Sequence, residues 1–125
     1  MSRFTILRHD APSGTHFDFM LEAGDVLKTW SLPHPPEADV ETSCEALADH
    51  RLAYLDYEGP ISGDRGAVAR WDRGTYTVQR WSDKECVVDL AGAKITGQAT
   101  LSRQSDATRQ WTFSFAGCEK GGIAD

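Results

Sequence analysis

Turn-forming residues punctuate this chain so regularly that short strands are nearly the only regular structure it can build. Ala23-Gly24-Asp25, Asp72-Arg73-Gly74 and Ala91-Gly92-Ala93 each separate two runs rich in β-branched and aromatic residues. The runs read as strands are FTIL (4–7), HFDFML (16–21), VLKTWSL (26–32), AVARW (67–71), TYTVQRW (75–81), ECVVDL (85–90), KITGQATLSR (94–103) and QWTFSF (110–115). Pro33, Pro35 and Pro36 cannot sit in a central strand, so residues 33–40 read as a loop. Strands recurring about every 8–12 residues predict a small sandwich or barrel, and closing a barrel hides the sheet edges. One stretch reads differently. In ETSCEALAD (41–49), Thr42 and Glu45 stand at capping-box spacing and Ala46-Leu47-Ala48 follows, which predicts a short helix.

A chain of 125 residues with 40% hydrophobic content suits one domain with a single core, spanning 1–125. The polar, Gly-rich CEKGGIAD (118–125) is expected to be a poorly ordered tail. No run approaches the ~20 apolar residues of a membrane helix. The start, MSRFTILRHD, has too short an apolar stretch for a signal peptide, so the expected location is cytoplasmic, away from membranes. Cys44, Cys86 and Cys118 are odd in number, far apart and free of any CxxC, which argues against a disulfide framework or a zinc ribbon. They are expected to be small core or surface residues. The net charge of −6 counts against a long nucleic-acid footprint, yet leaves room for an enzyme that handles one strand end.

Chemistry concentrates in RHDAPSGTHFDFMLE, residues 8–22. If 16–22 is extended, Phe17, Phe19 and Leu21 share one face, a core face. His16, Asp18, Met20 and Glu22 share the other, mostly polar one. Residues two apart on a strand lie about 6.6 Å apart at Cα, close enough for His16 and Asp18 to converge on one ion. His9, brought round by the Pro12-Ser13-Gly14 turn, is a candidate third ligand. Two histidines and a carboxylate on one side of an ion leave positions open for water or substrate, which suits Mn²⁺, Fe²⁺ or Zn²⁺. His-x-Asp is a weak pattern on its own, and a lone strand histidine is more often a surface or hydrogen-bonded core residue.

A second constellation lies in DHRLAYLDYEGPISGDRG, residues 49–66. His50 and Tyr54 stand four apart, and a glycine-rich loop with Asp64 and Arg65 follows. In one reading this is a solvated loop with Leu52, Tyr54 and Leu55 packing beneath it. In the other, His50 is a general acid or phosphate ligand, since imidazole exchanges a proton near neutral pH. Both readings stand on these residues.

Taken in order, the segments resemble the 3′-phosphoesterase domain of DNA ligase D proteins. The resemblance rests on His9-Asp10-Ala11, His16-Phe17-Asp18-Phe19-Met20-Leu21-Glu22, Val26-Leu27-Lys28-Thr29-Trp30 with Pro33, the run from Asp49 to Gly59, and Trp71-Asp72-Arg73-Gly74-Thr75. It extends to Phe115. It implies a mainly β fold, a small antiparallel β-barrel with one or two short helical turns and a Mn²⁺ site, Zn²⁺ being an alternative ion. It implies an enzyme of DNA repair and non-homologous end joining that removes a terminal ribonucleoside and then the 3′-phosphate from DNA or RNA-containing strand ends. His9, His16 and Asp18 would hold the metal, and His50 and Tyr54 would contact the phosphate. Asp10 and Glu22 would support them. The expected partners are 3′ ends and a separate DNA ligase or polymerase, with the protein itself a monomer.

The chain also departs from the family. Met20 stands where the family carries a phosphate-clamping arginine, His34 where it has a lysine, and Thr42 near a further arginine. Losing a bidentate guanidinium removes a strong charge-assisted contact. Arg8, Arg51 and Arg65 are the candidate replacements. Two other readings fit these departures. One is a weak or inactive module that binds strand ends or a ligase. The other is a metallo-phosphoesterase acting on a small metabolite.

Overall fold

The computed structural model describes residues 2–105 and 108–117. The predicted tail at 118–125 lies outside the described residues, as does Cys118. In chain order the strands are β1 (Arg3–Ala11), β2 (Gly14–Ala23), β3 (Val26–Leu32), β4 (Glu41–Arg51), β5 (Gly59–Pro60), β6 (Ala67–Trp81), β7 (Glu85–Gly92), β8 (Thr96–Arg103) and β9 (Gln110–Gly117). A single turn of 3-10 helix, Leu52–Leu55, lies between β4 and β5. Neighbours run in the order β1-β2-β3-β4-β9-β8-β7-β6-β5, and a further β1–β6 ladder joins the ends into a ring of hydrogen bonds. The sheet is antiparallel and barrel-like rather than a two-sheet sandwich. Ring closure leaves no long open edge for another chain to pair with.

Two predictions need correction. Residues 41–49 form β4, not a helix. Their Cys44 and Ala46 pack into the core while Ser43 and Glu45 are exposed, and β4 is hydrogen-bonded to β3 on one edge and β9 on the other. Two ladders and an alternating buried face outweigh a few helix-favouring alanines. Asp72-Arg73-Gly74 is likewise no hairpin turn but the middle of β6, a strand of 15 residues. Here β6 passes from one partner to the other, and Gly74 pairs with Phe4 of β1 and with Gly92 of β7. A Cβ on Gly74 would sit 2.0 Å from the carbonyl oxygen of Ala91. The glycine therefore permits close strand approach, not chain reversal. The helical turn exists, but at 52–55.

The buried side chains fall into two clusters. Inside the ring, Phe19 packs against Phe4, Trp30 and Phe113, with ring centroids 6.5, 6.3 and 5.4 Å away. This is the face expected for Phe17, Phe19 and Leu21. The opposite face of β2 is not simply polar. Met20 is fully buried with Leu7, Leu27, Leu55 and Val68, and Leu52, Tyr54 and Ile61 pack on them. The segment following β4 thus folds back over the outside of β1, β2 and β3. That outer apolar cluster is the floor on which the site is built. Cys44 and Cys86 are buried and free, as expected, and burial pushes both thiols up to about 12.

Candidate metal centre and cleft

His9 and His16 are directly paired across the β1–β2 hairpin, and Asp18 follows two residues along β2. All three face outward from the ring. His9 Nδ1 lies 3.1 Å from His16 Nε2 and 3.4 Å from Asp18 Oδ2, and His16 Nε2 lies 3.1 Å from Asp18 Oδ1. One ligand atom from each residue falls within 4.8 Å of the others. Among the described residues, this is the group of histidine, cysteine or acidic side chains arranged to hold an ion.

The surroundings orient these groups. His9 Nε2 lies 2.8 Å from the main-chain carbonyl of Arg65. A carbonyl can only accept, so Nε2 carries the hydrogen and the Nδ1 lone pair of the neutral ring points into the cluster. Histidine ligands are commonly fixed in this way by a carbonyl behind the ring. Asp18 is buried, and the one polar side-chain atom that approaches its Oδ1 is His16 Nε2, so the carboxylate oxygen is left short of partners. A buried carboxylate oxygen left unpaired is costly unless a cation satisfies it. The neighbouring carboxylate of Asp18 raises the His16 pKa above its ordinary value, against the smaller opposing effect of burial. The same negative charge that holds a proton there would hold a metal ion in its place. These observations fit a divalent cation bound by His9, His16 and Asp18.

The Arg65 carbonyl is aimed by local backbone geometry. Residues 61–66 form a loop closed by the Ile61 N–H donating to the Gly66 carbonyl at 2.8 Å. Gly66 has φ +89, and a Cβ there would sit 1.9 Å from the Asp10 carbonyl oxygen. Only glycine lets the loop lie this close to β1. The sequence drew attention to the guanidinium of Arg65. Its carbonyl was missed, and the signal that pointed to it was the glycine immediately after.

His50 and Tyr54 join the same site. A cleft of about 270 Å³ is lined by His9, Asp18, His50, Arg51, Tyr54 and Arg65 over a floor of Leu7, Met20 and Val68. A β-bulge brings His50 round. Leu27 pairs with His50 and Thr29 with Leu47, so three steps on β4 oppose two on β3. The extra residue puts Leu47 and His50 on the same outer face despite their odd separation, and bulges commonly re-aim a side chain in this way. His50 Nδ1 donates to the Ala48 carbonyl at 2.9 Å, leaving Nε2 as the free nitrogen. The Tyr54 ring packs edge-on against His50 at 5.7 Å.

Other predicted residues lie elsewhere. Asp10 and Arg8 are on the opposite face of β1 from His9, where Thr15 and Arg8 bind the Asp10 carboxylate at 2.7 and 3.2 Å. The Thr15 hydroxyl, then Arg8, holds that carboxyl below its usual range. Glu22 is six residues along β2 from His16 and accepts from the Arg3 main-chain N–H at 2.9 Å. None of the three lines the cleft. Of the arginines that do, Arg65 is turned toward Ser62 through Nε and Nη2, while Arg51 is exposed at the rim. His34 is held in the proline loop by the Pro35 carbonyl, and Thr42 lies on β4 away from the cleft.

The DNA Ligase D 3′-phosphoesterase domain family matches residues 7–103. Over 109 residues, 80% of the chain, the sequence is 38% identical to the multifunctional non-homologous end joining DNA repair protein LigD of Mycobacterium tuberculosis. Over 80 residues, 60% of the chain, it is 42% identical to the multifunctional non-homologous end joining protein LigD of Pseudomonas aeruginosa. The chain spans only 14% and 9% of these curated relatives. Among the described residues, no helix is long and apolar enough to cross a membrane.

Proposed function

Because the chain belongs to the DNA ligase D 3′-phosphoesterase domain family, we propose that it is a metal-dependent phosphoesterase that trims 3′ ends of DNA or RNA-containing strands during end-joining repair. Its reactions are removal of a terminal ribonucleoside and removal of a 3′-phosphate, leaving a 3′-OH for a separate ligase or polymerase. The single observation carrying this reading is that the His9–His16–Asp18 cluster borders, through His9 and Asp18, the cleft that His50 and Tyr54 also line.

His9, His16 and Asp18 hold the cation, for which we propose Mn²⁺, with Zn²⁺ as the alternative. When bound, such an ion neutralises phosphate oxygens and stabilises charge that builds up in the transition state. The chain's own residues do the rest. The free Nε2 of His50 faces the phosphate and, when protonated, donates to it or to the leaving oxygen. The Tyr54 hydroxyl orients a phosphate oxygen. Arg51 supplies the cationic contact that Met20 no longer can, since Met20 is sealed in the apolar floor. The nonpolar floor of Leu7, Met20 and Val68 lowers the polarity beneath these groups, which strengthens the contacts made against it.

The test is a gel assay with 5′-labelled primer–templates ending in one ribonucleotide or in a 3′-phosphate, with Mn²⁺ or with chelator. We expect shortening and dephosphorylation with Mn²⁺ only, and a loss of 10²-fold or more on the order typical of acid–base groups in His50→Ala. Unchanged rates in both His16→Ala and His50→Ala would refute the assignment. Tight binding of both ends by the Mn²⁺-loaded protein without turnover would establish the binding-module reading instead.

A further inference from the structure

A second depression adjoins the cluster on its other side. It has a volume of about 410 Å³, within the range of small-molecule pockets, and His16 forms one wall. Strand directions place it. β2 and β4 run the same way, each antiparallel to β3 between them. The His50 cleft is lined by Asp18 and Met20 of β2 and by residues 48–51 of β4. The second groove is lined by Gly14 to His16 of β2 and by residues 43–45 of β4. The metal cluster thus separates two grooves along the strand direction.

The two grooves differ in chemistry. The first has Arg51 and Arg65. The second has no lysine or arginine and is edged by Ser13, Ser31, Ser43, Glu45 and Gln110. Ser31 pairs with Asp18 and Glu45, and Glu45 pairs with Gln110, so these positions form a row across β2, β3, β4 and β9. Among the described residues, the exposed carboxylate of Glu45 has no ion-pair or hydrogen-bond partner. An unpaired carboxylate repels a phosphate but accepts from neutral hydroxyls, and the serine hydroxyls and the glutamine amide can donate or accept.

We propose that this second groove is the subsite for the departing nucleoside, with Glu45 accepting from its ribose hydroxyls. The inference rests on the phosphoesterase reading above and fixes the polarity of the substrate on it. The phosphate-bearing strand lies on the Arg51 side, and the terminal nucleoside lies on the Glu45 side. In the reaction, a water oxygen bonds to phosphorus and gives up one proton, the P–O5′ bond to the terminal nucleoside breaks, and O5′ gains one proton, so that the net change is the addition of one water. The leaving group is therefore an uncharged nucleoside, matching a groove without cations. Hydrolysis of a 3′-phosphate end releases inorganic phosphate and places no nucleoside there.

That difference supplies the test. Glu45→Ala removes the acceptor, and Ser43→Trp fills the groove; both positions are exposed, so folding is preserved. Both variants are assayed with Mn²⁺ on a 3′-ribonucleotide end and on a 3′-phosphate end. We expect KM for nucleoside release to rise about tenfold in Glu45→Ala, the worth of one hydrogen bond to a charged group. Ser43→Trp should raise it at least as much, and phosphate release should stay within about twofold in both. Nucleoside release equal to the parent's in both variants, or equal losses on both substrates, would overturn the subsite alone. A parent protein inactive on both ends would overturn the phosphoesterase reading itself.

Discussion

Gly66 links backbone geometry to the candidate metal centre through one atom. It stands at φ +89 with the Asp10 carbonyl where a Cβ would go, and this holds the Arg65 carbonyl behind His9. We expect Gly66→Ala to destabilise the fold by about 2 kcal/mol or more, measured by urea denaturation, because a left-handed residue and a backbone clash coincide. Metal affinity should fall with it, as His9 loses the acceptor that fixes its tautomer. At this scale the sequence was partly readable. His9, His16 and Asp18 could be grouped from a turn and a strand alternation, because both rules are local. Asp10 and Glu22 could not be excluded that way. Asp10 shares the turn with His9 but points to the other face, and Glu22 shares the face with Asp18 but lies too far along the strand.

Bulges and shared ladders decide what the elements do. β4 looked helical from Thr42, Glu45 and the alanines, and only its two partner strands make it extended. The bulge that turns His50 toward Asp18 has no signature in residues 47–50, so the nearness of His50 to the His9–His16–Asp18 cluster could come only from the family resemblance or from the folded structure. Asp72 shows the same dependence on long-range structure. Its buried carboxylate accepts from the main-chain N–H groups of Arg73, Lys94 and Ile95 at 2.8 to 2.9 Å. It thereby pins the β7–β8 turn to β6, where the sequence suggested a hairpin of its own. Three charge-assisted bonds are lost together in Asp72→Ala, each worth about 1.5–3 kcal/mol but not additive. We expect a cost of about 3–5 kcal/mol in chemical denaturation. A variant as stable as the parent would show that the turn is held by its own backbone bonds.

In the whole molecule, two apolar clusters on opposite faces of one sheet divide the labour. The inner one closes the ring of strands. The outer one seats the 52–66 segment, which carries His50's neighbour Tyr54 and the loop behind His9. Regular turn spacing made the strands legible and the family resemblance made the barrel-like closure legible. The outer cluster was hidden because Met20 sits in a stretch of β2 that reads as a polar face, and its cover comes from residues more than thirty positions later. The chain is acidic, at a net charge of −6, and its exposed arginines, among them Arg3, Arg8, Arg51, Arg65, Arg73 and Arg80, are dispersed and largely ion-paired with acidic neighbours rather than gathered into one basic stripe. That counts against a long duplex footprint.

The most direct measurement is a calorimetric titration of Mn²⁺ into chelator-stripped protein, alongside Asp18→Asn, which keeps the side chain's shape and removes its charge. One ion per chain is expected in the parent and none in the variant, with a matching metal-dependent rise in melting temperature confined to the parent. No ion bound by the parent, or the same affinity in Asp18→Asn, would contradict it.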